Sequence, residues 1–173
     1  MNADGDVGAV IDDMVARGVF RATPMRVGPS DTGRPIGRKC PEEGTPSWRI
    51  TWFSGHAMTL HAGGDEVKMD GVLPPLPAQS QLYRDLRAWL KAQQGPDLPA
   101  HRRLDPALIT LAVRNSGGRI RLSLSSQDEP LPVLTKRIVQ LVHAVYLDFL
   151  NGPGRLEWVT EAFGLDPDNP RFT

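Results

Sequence analysis

The chain has 173 residues, 40% of them hydrophobic, with 20 acidic and 20 basic side chains and a single cysteine, Cys40. That size suits one domain, residues 1–173, with a core that needs no crosslinks. One cysteine excludes an internal disulfide framework and fits a reducing cytosol. No stretch approaches the roughly 20 apolar residues of a membrane span.

Near the start, Val7, Val10, Ile11, Met14 and Val15 recur at helical spacing and Gly18 supplies a stop, which predicts a short amphipathic helix. The acids Asp4, Asp6, Asp12 and Asp13 there lack the basic, apolar layout of a signal peptide, so a cytoplasmic protein is expected. Residues 18–25 could form a brief strand. Residues 26–47 hold Gly28, Pro29, Gly33, Pro35, Gly37, Pro41, Gly44 and Pro46 among few apolar side chains, a long Pro/Gly-rich loop without phosphate-loop spacing.

Trp48, Ile50 and Trp52 then alternate with Arg49, Thr51 and Phe53, as a strand requires. Ser54 and Gly55 read as a turn, and residues 57–61 and 66–71, joined at Gly63–Gly64–Asp65, complete a three-strand meander. Ser80 is a natural N-cap for a helix through Gln93, with Leu82, Leu86 and Trp89 on one stripe flanked by Tyr83 and Leu90, and Gly95 and Pro96 end it. After a polar connector with His101, Arg102 and Arg103 comes a hairpin of residues 109–114 and 119–125, turning at Ser116–Gly118. Its core positions are Ile109, Leu111, Val113, Ile120, Leu122 and Leu124; its other face shows Thr110, Arg114, Arg119, Arg121 and Ser123.

A long helix follows from near Pro132. Leu134, Ile138, Leu141, Val145 and Phe149 form one apolar stripe, and Val139, Val142, Tyr146 and Leu150 another. Such a helix must be covered on two sides. A short last helix marked by Leu156, Val159 and Phe163 could fold back over the second stripe; the competing use of that stripe is a homodimer interface. These elements predict an α+β fold: an antiparallel sheet of about five strands in α-βββ-α-ββ-α order, helices packed on one face, and an extra C-terminal helix.

In that order, the chain resembles the YbjN family of bacterial proteins and, more distantly, the type III secretion chaperones. The residues that carry the likeness are the meander ending at Glu66–Val72, the helix Ser80–Lys91, the hairpin Ile109–Leu124 with its Gly117–Gly118 turn, and the segment Pro130–Leu150. The resemblance implies a one-sided sheet, often dimeric, that binds another polypeptide without catalysis. It contributes no functional residue.

Chemistry is sparse. His56 and His61 are five apart on a strand, which aims them at opposite faces and argues against a shared metal; no Cys-x-x-Cys pair exists, and no metal or cofactor is expected. A thiolate at Cys40 beside Arg38 and Lys39 is the best enzyme hypothesis, though nothing places a histidine next to it. Phosphate-loop, dinucleotide and Gly-x-Ser-x-Gly signatures are absent. Arg114, Arg119 and Arg121 could bind nucleic acid weakly, yet no aromatic side chain stands among them to stack bases.

The expectation is therefore a non-enzymatic protein-binding module, chaperone-like or a regulatory adaptor. Its partner would be another protein, with homodimerisation the further use of the long helix. The candidate contacts are Trp48 and Trp52, which are core if their strand face meets the helices and an apolar rim for a partner if the long loop lifts away, Arg34, Arg38 and Lys39 in the basic loop, and Val139, Tyr146 and Leu150 on the second stripe.

Overall fold

The computed structural model describes residues 3–25 and 45–168. Along the chain these form α1 (Ala3–Ala16), β1 (Arg21–Met25), β2 (Ser47–Trp52), β3 (His56–Gly63), β4 (Glu66–Asp70), α2 (Gln81–Ala92), β5 (Thr110–Ser116), β6 (Arg119–Ser125), α3 (Leu131–Ala144), a π-helical turn (Val145–Phe149) and α4 (Leu156–Phe163). The class is α+β, with one antiparallel sheet in the order β1-β2-β3-β4-β6-β5. It has six strands rather than about five. The additional one is β1, where Arg21–Met25 pairs with Thr51–Ser47. Of the loop expected at 26–47, residues 26–44 lie outside the described residues, and Ser47 already belongs to β2.

Alternation decides which face is covered. Trp48, Ile50, Trp52, Met58, Leu60, Ala62, Val67, Met69, Ile120, Leu122 and Leu124 all turn to the helix side and are buried. Register aligns them across the sheet: Trp48 faces Leu60, Leu60 faces Met69, Met69 faces Leu122, and Leu122 faces Val113. These cross-strand rows are the unit of sheet packing. Val7 and Ile11 of α1, Leu86 and Leu90 of α2, and Leu134, Ile138 and Val142 of α3 close the core over them.

Capping and turn chemistry set the ends. The Ser80 hydroxyl accepts from the Tyr83 N–H at 3.2 Å and opens α2. The β5–β6 hairpin turns on two residues, Gly117 and Gly118, both at positive φ, the geometry that matches strand twist and that side chains resist. Asn115 Oδ1 accepts from the Gly118 N–H at 2.9 Å, while the Asn115 amide donates to the Leu76 carbonyl at 2.8 Å.

Both stripes of the long helix are covered within the chain. The buried set includes Val139, Val142, Tyr146 and Leu150 as well as Leu134, Ile138 and Phe149. From α4, Phe163 meets the Tyr146 ring edge-on at 5.6 Å, and Val159 is buried. Local cover is thus the outcome on the second stripe, and those side chains are core.

Candidate functional site

Two of the expected contact groups lie in the interior. Trp48 is 9% and Trp52 8% exposed. Trp52 packs against Phe20 at 5.3 Å and Phe53 at 4.4 Å in an aromatic cluster, and both tryptophans belong to the core, not to a rim. The correction has a simple cause: the even-numbered face of β2 is the one that meets the helices. Val139, Tyr146 and Leu150, buried as above, offer no docking surface either. Arg34, Arg38 and Lys39, together with Cys40, lie outside the described residues.

Three of the four histidines, His56, His61 and His143, have structural partners. His56 faces the helix side, and its Nε2 lies 2.7 Å from the Gly71 carbonyl, which requires the proton on Nε2. His61 faces the open side with Nδ1 2.7 Å from Ser47 Oγ, whose hydroxyl donates to the Thr45 carbonyl at 3.1 Å. Burial lowers the pKa of both rings. His143 is exposed and stacks on Trp52 and Phe53 at 5.8 and 5.9 Å. Among the described residues no group of three or more His, Cys, Asp or Glu could hold a metal ion, and no helix is long and apolar enough to cross a membrane.

The open sheet face is basic. One cross-strand line carries Thr23, Arg49, Thr59, Asp70, Arg121 and Arg114 side by side. Asp70 Oδ2 accepts from both Arg119 Nε at 3.1 Å and Arg121 Nη2 at 3.2 Å. Burial alone would raise the Asp70 pKa; the hydrogen bonds and charges of Arg121 and Arg119 outweigh it, and the carboxyl sits below its ordinary value. Arg114 stands directly opposite Arg121 and makes no ion pair among the described residues. No Phe, Tyr or Trp lies on the open face of β1 to β6.

At the sheet margins the two edges differ. The outer strand β1 carries Pro24, which cannot donate to a further ladder and so guards that edge. The opposite edge, β5, reads Thr-Leu-Ala-Val-Arg-Asn-Ser without proline, and no described strand pairs with its outer side. Beyond the β6 ladder, one side-chain contact reaches its approach: Gln94 Nε2 donates to the Ile109 carbonyl at 3.4 Å.

Beside that edge runs α2. Its start is tied to the hairpin end through Leu76, whose N–H donates to the Gly118 carbonyl at 2.9 Å, and its end reaches Ile109, so helix and strand are antiparallel. Between them lies a groove of about 410 Å³, floored by Ala88, Leu90, Leu111 and Val113 and rimmed by Arg84, Arg87, Lys91 and Gln94. It continues past Val113 and Arg87 into a wider depression of about 850 Å³ that reaches Tyr83, Arg114, Asn115, Arg119, Arg121 and Asp70 around the hairpin end. A third depression, of about 390 Å³, lies where the 101–104 connector meets α3; of its charged groups, Arg102 and Asp148 pair with each other at 3.1 Å and Arg137 donates to the His101 carbonyl at 3.0 Å.

The arrangement presents a row of main-chain donors and acceptors next to an apolar floor and a positive rim. Sequence reasoning missed this site. Its signal was the spacing of Arg84, Arg87 and Lys91, which puts three cations on one helix face. No protein-family model matches the chain, and no curated protein matches it.

Proposed function

We propose that the chain is a non-enzymatic protein-binding module of the cytoplasm, a chaperone-like or regulatory adaptor, that takes up an extended polypeptide segment as an added strand along β5. The observation that carries this reading is the proline-free, uncovered β5 edge beside the α2 groove. Strand addition supplies affinity through main-chain hydrogen bonds, and alternate side chains of the guest supply specificity in the groove. Here apolar guest residues would lie over Leu90, Leu111 and Val113, and acidic ones would meet Arg84, Arg87 and Lys91. The resemblance to one-sided sheets that bind polypeptides without catalysis points the same way.

Charge selects the occupant. Pairing β5 with the β5 of a second copy would bring two basic α2 rims together, and like charges in register are destabilising. An acidic segment of another protein meets complementary potential instead. The experiment is selection of random peptides of about nine residues, a length matched to an ordinary strand, followed by amide hydrogen exchange on the purified complex. Selected peptides that alternate apolar and acidic residues and slow exchange at 110–116 support the proposal. Failure to enrich any peptide, or protection confined to other elements, overturns it.

A further inference from the structure

The hairpin end of the β5 groove holds more positive charge than the fold uses. Arg87, Arg114, Arg119 and Arg121 line one depression with a single carboxylate, Asp70. That carboxylate is engaged by Arg119 and Arg121 through one oxygen. Arg114 is set against Arg121 in the ladder, where a like-charge pair costs stability. The depression therefore holds a local charge excess of three, four guanidinium groups against one carboxylate, and Arg87 and Arg114 make no ion pair among the described residues.

We infer that this depression is a receptor for a dianionic group, and specifically for a phosphorylated residue in the polypeptide segment that β5 binds; the inference rests on the strand-addition reading for its choice of ligand. Guanidinium groups suit the task because they present rigid, forked N–H donors that match phosphoryl oxygens. A phosphoserine carries about −1.5 to −2 charges at neutral pH and three acceptor oxygens, whereas a glutamate carries one charge and two. Arg114 and Arg87 have no carboxylate partner among the described residues, so both are available to accept the group without breaking the Asp70 bonds. A nucleic-acid strand would instead use a line of cations interleaved with stacking rings. The line through Arg49, Asp70 and Arg121 has no ring, and its centre is an acid.

The test is an NMR titration of the full chain with N-acetyl-phosphoserine amide, following the backbone amides of 114–121 and the arginine Nε–H signals. Parallel titrations use inorganic phosphate, N-acetyl-glutamate amide and a single-stranded oligothymidylate. The expected result is saturable shifts confined to 114–121 and Arg87, with affinity about tenfold above that of the glutamate compound. Arg114→Gln and Arg87→Gln, both on exposed surface, should each weaken it several-fold, while Arg49→Gln on the same sheet face leaves it unchanged.

Inorganic phosphate binding more tightly than the phosphoserine amide would overturn the phosphorylated-residue assignment in favour of a free-anion site. Oligothymidylate shifts that spread over Arg49 and Lys68 would overturn it in favour of nucleic acid. No shift at 114–121 with phosphoserine overturns the receptor outright. The amino-acid amide has no strand to add, so this result stands apart from the peptide selection: either can fail while the other succeeds.

Discussion

The hydroxyl of Tyr146 donates to the carbonyl of Val72 at 2.6 Å, across 74 residues of chain. The bond ties the π-helical turn after α3 to the segment that leaves β4, and the Tyr146 ring stacks on Phe53 at 4.0 Å. Burial pushes the phenol pKa up, so the group stays a neutral donor at any physiological pH.

Tyr146→Phe keeps the ring and leaves a buried carbonyl short of its donor. That should lower stability by about 1–3 kcal/mol. Urea unfolding would read it as a lower midpoint with an unchanged slope, since the surface exposed on unfolding is the same. Tyr146→Ala should cost more, because the stack with Phe53 and the contact with Phe163 go as well. A Tyr146→Phe variant as stable as the parent chain would show that the hydroxyl contributes nothing, and equal losses for the two variants would show that the ring adds nothing beyond it.

The turn after β2 carries a local conflict. Phe53 and Ser54 have φ of 27° and 56°, in the region that side chains resist. Phe53 is held there by its stack between Trp52 and Tyr146. Ser54 has no such compensation and is exposed. A left-handed residue costs about 1–2 kcal/mol, and glycine's extra unfolded entropy about 0.5–1. Ser54→Gly should therefore stabilise by several tenths of a kcal/mol up to about 1, read as a raised thermal midpoint, whereas Phe53→Gly should destabilise strongly because the buried ring is lost.

Much of this architecture is legible in the sequence because it rests on local rules. The alternation of Trp48, Ile50 and Trp52, the Ser80 cap, the Gly117–Gly118 turn and the two stripes of the long helix each announce an element by its own residues. What is not local is the position of β6 between β4 and β5. It follows from Met69 facing Leu122 and Val67 facing Leu124, a pairing between strands more than 50 residues apart that no turn dictates. That pairing makes β5 an edge, and hence makes the arginines of α2 the rim of a groove. The two tryptophans left both a core and a rim reading open for the same reason: alternation shows that they share a face, not which face the helices cover.

Acid should weaken the fold in two separable steps. His56 and His61 have pKa values lowered below the ordinary 6.5, mainly by burial. The unfolded chain therefore takes up protons first as pH falls through about 6.5, and stability that is complete above that value declines until the folded-state values are passed. Asp70, also lowered, contributes stability present above the ordinary 3.8 and lost as pH falls through its folded value. Thermal melts from pH 8 to pH 3 should show both declines. His61→Gln should flatten the first and Asp70→Asn the second; a histidine variant that leaves the first slope intact would remove burial of that ring as its cause.

Electrostatics at the proposed edge can be separated from its backbone contribution. Arg84, Arg87 and Lys91 form an exposed rim, so exchanging Arg84 and Lys91 for glutamate leaves the buried face of α2, Tyr83, Leu86 and Leu90, untouched. Rim charges act chiefly on association rate and are screened over about 8 Å at physiological salt. The double reversal should slow association of an acidic selected peptide by about tenfold or more at low salt, and the gap to the parent chain should narrow as salt rises. Leu111→Arg fills the apolar floor from an exposed edge and should act instead on dissociation, with little salt dependence. Stopped-flow anisotropy on both variants resolves the two effects. If the reversal changes neither rate at low salt, the acidic partner is wrong; if Leu111→Arg also leaves binding intact, the guest does not lie along β5.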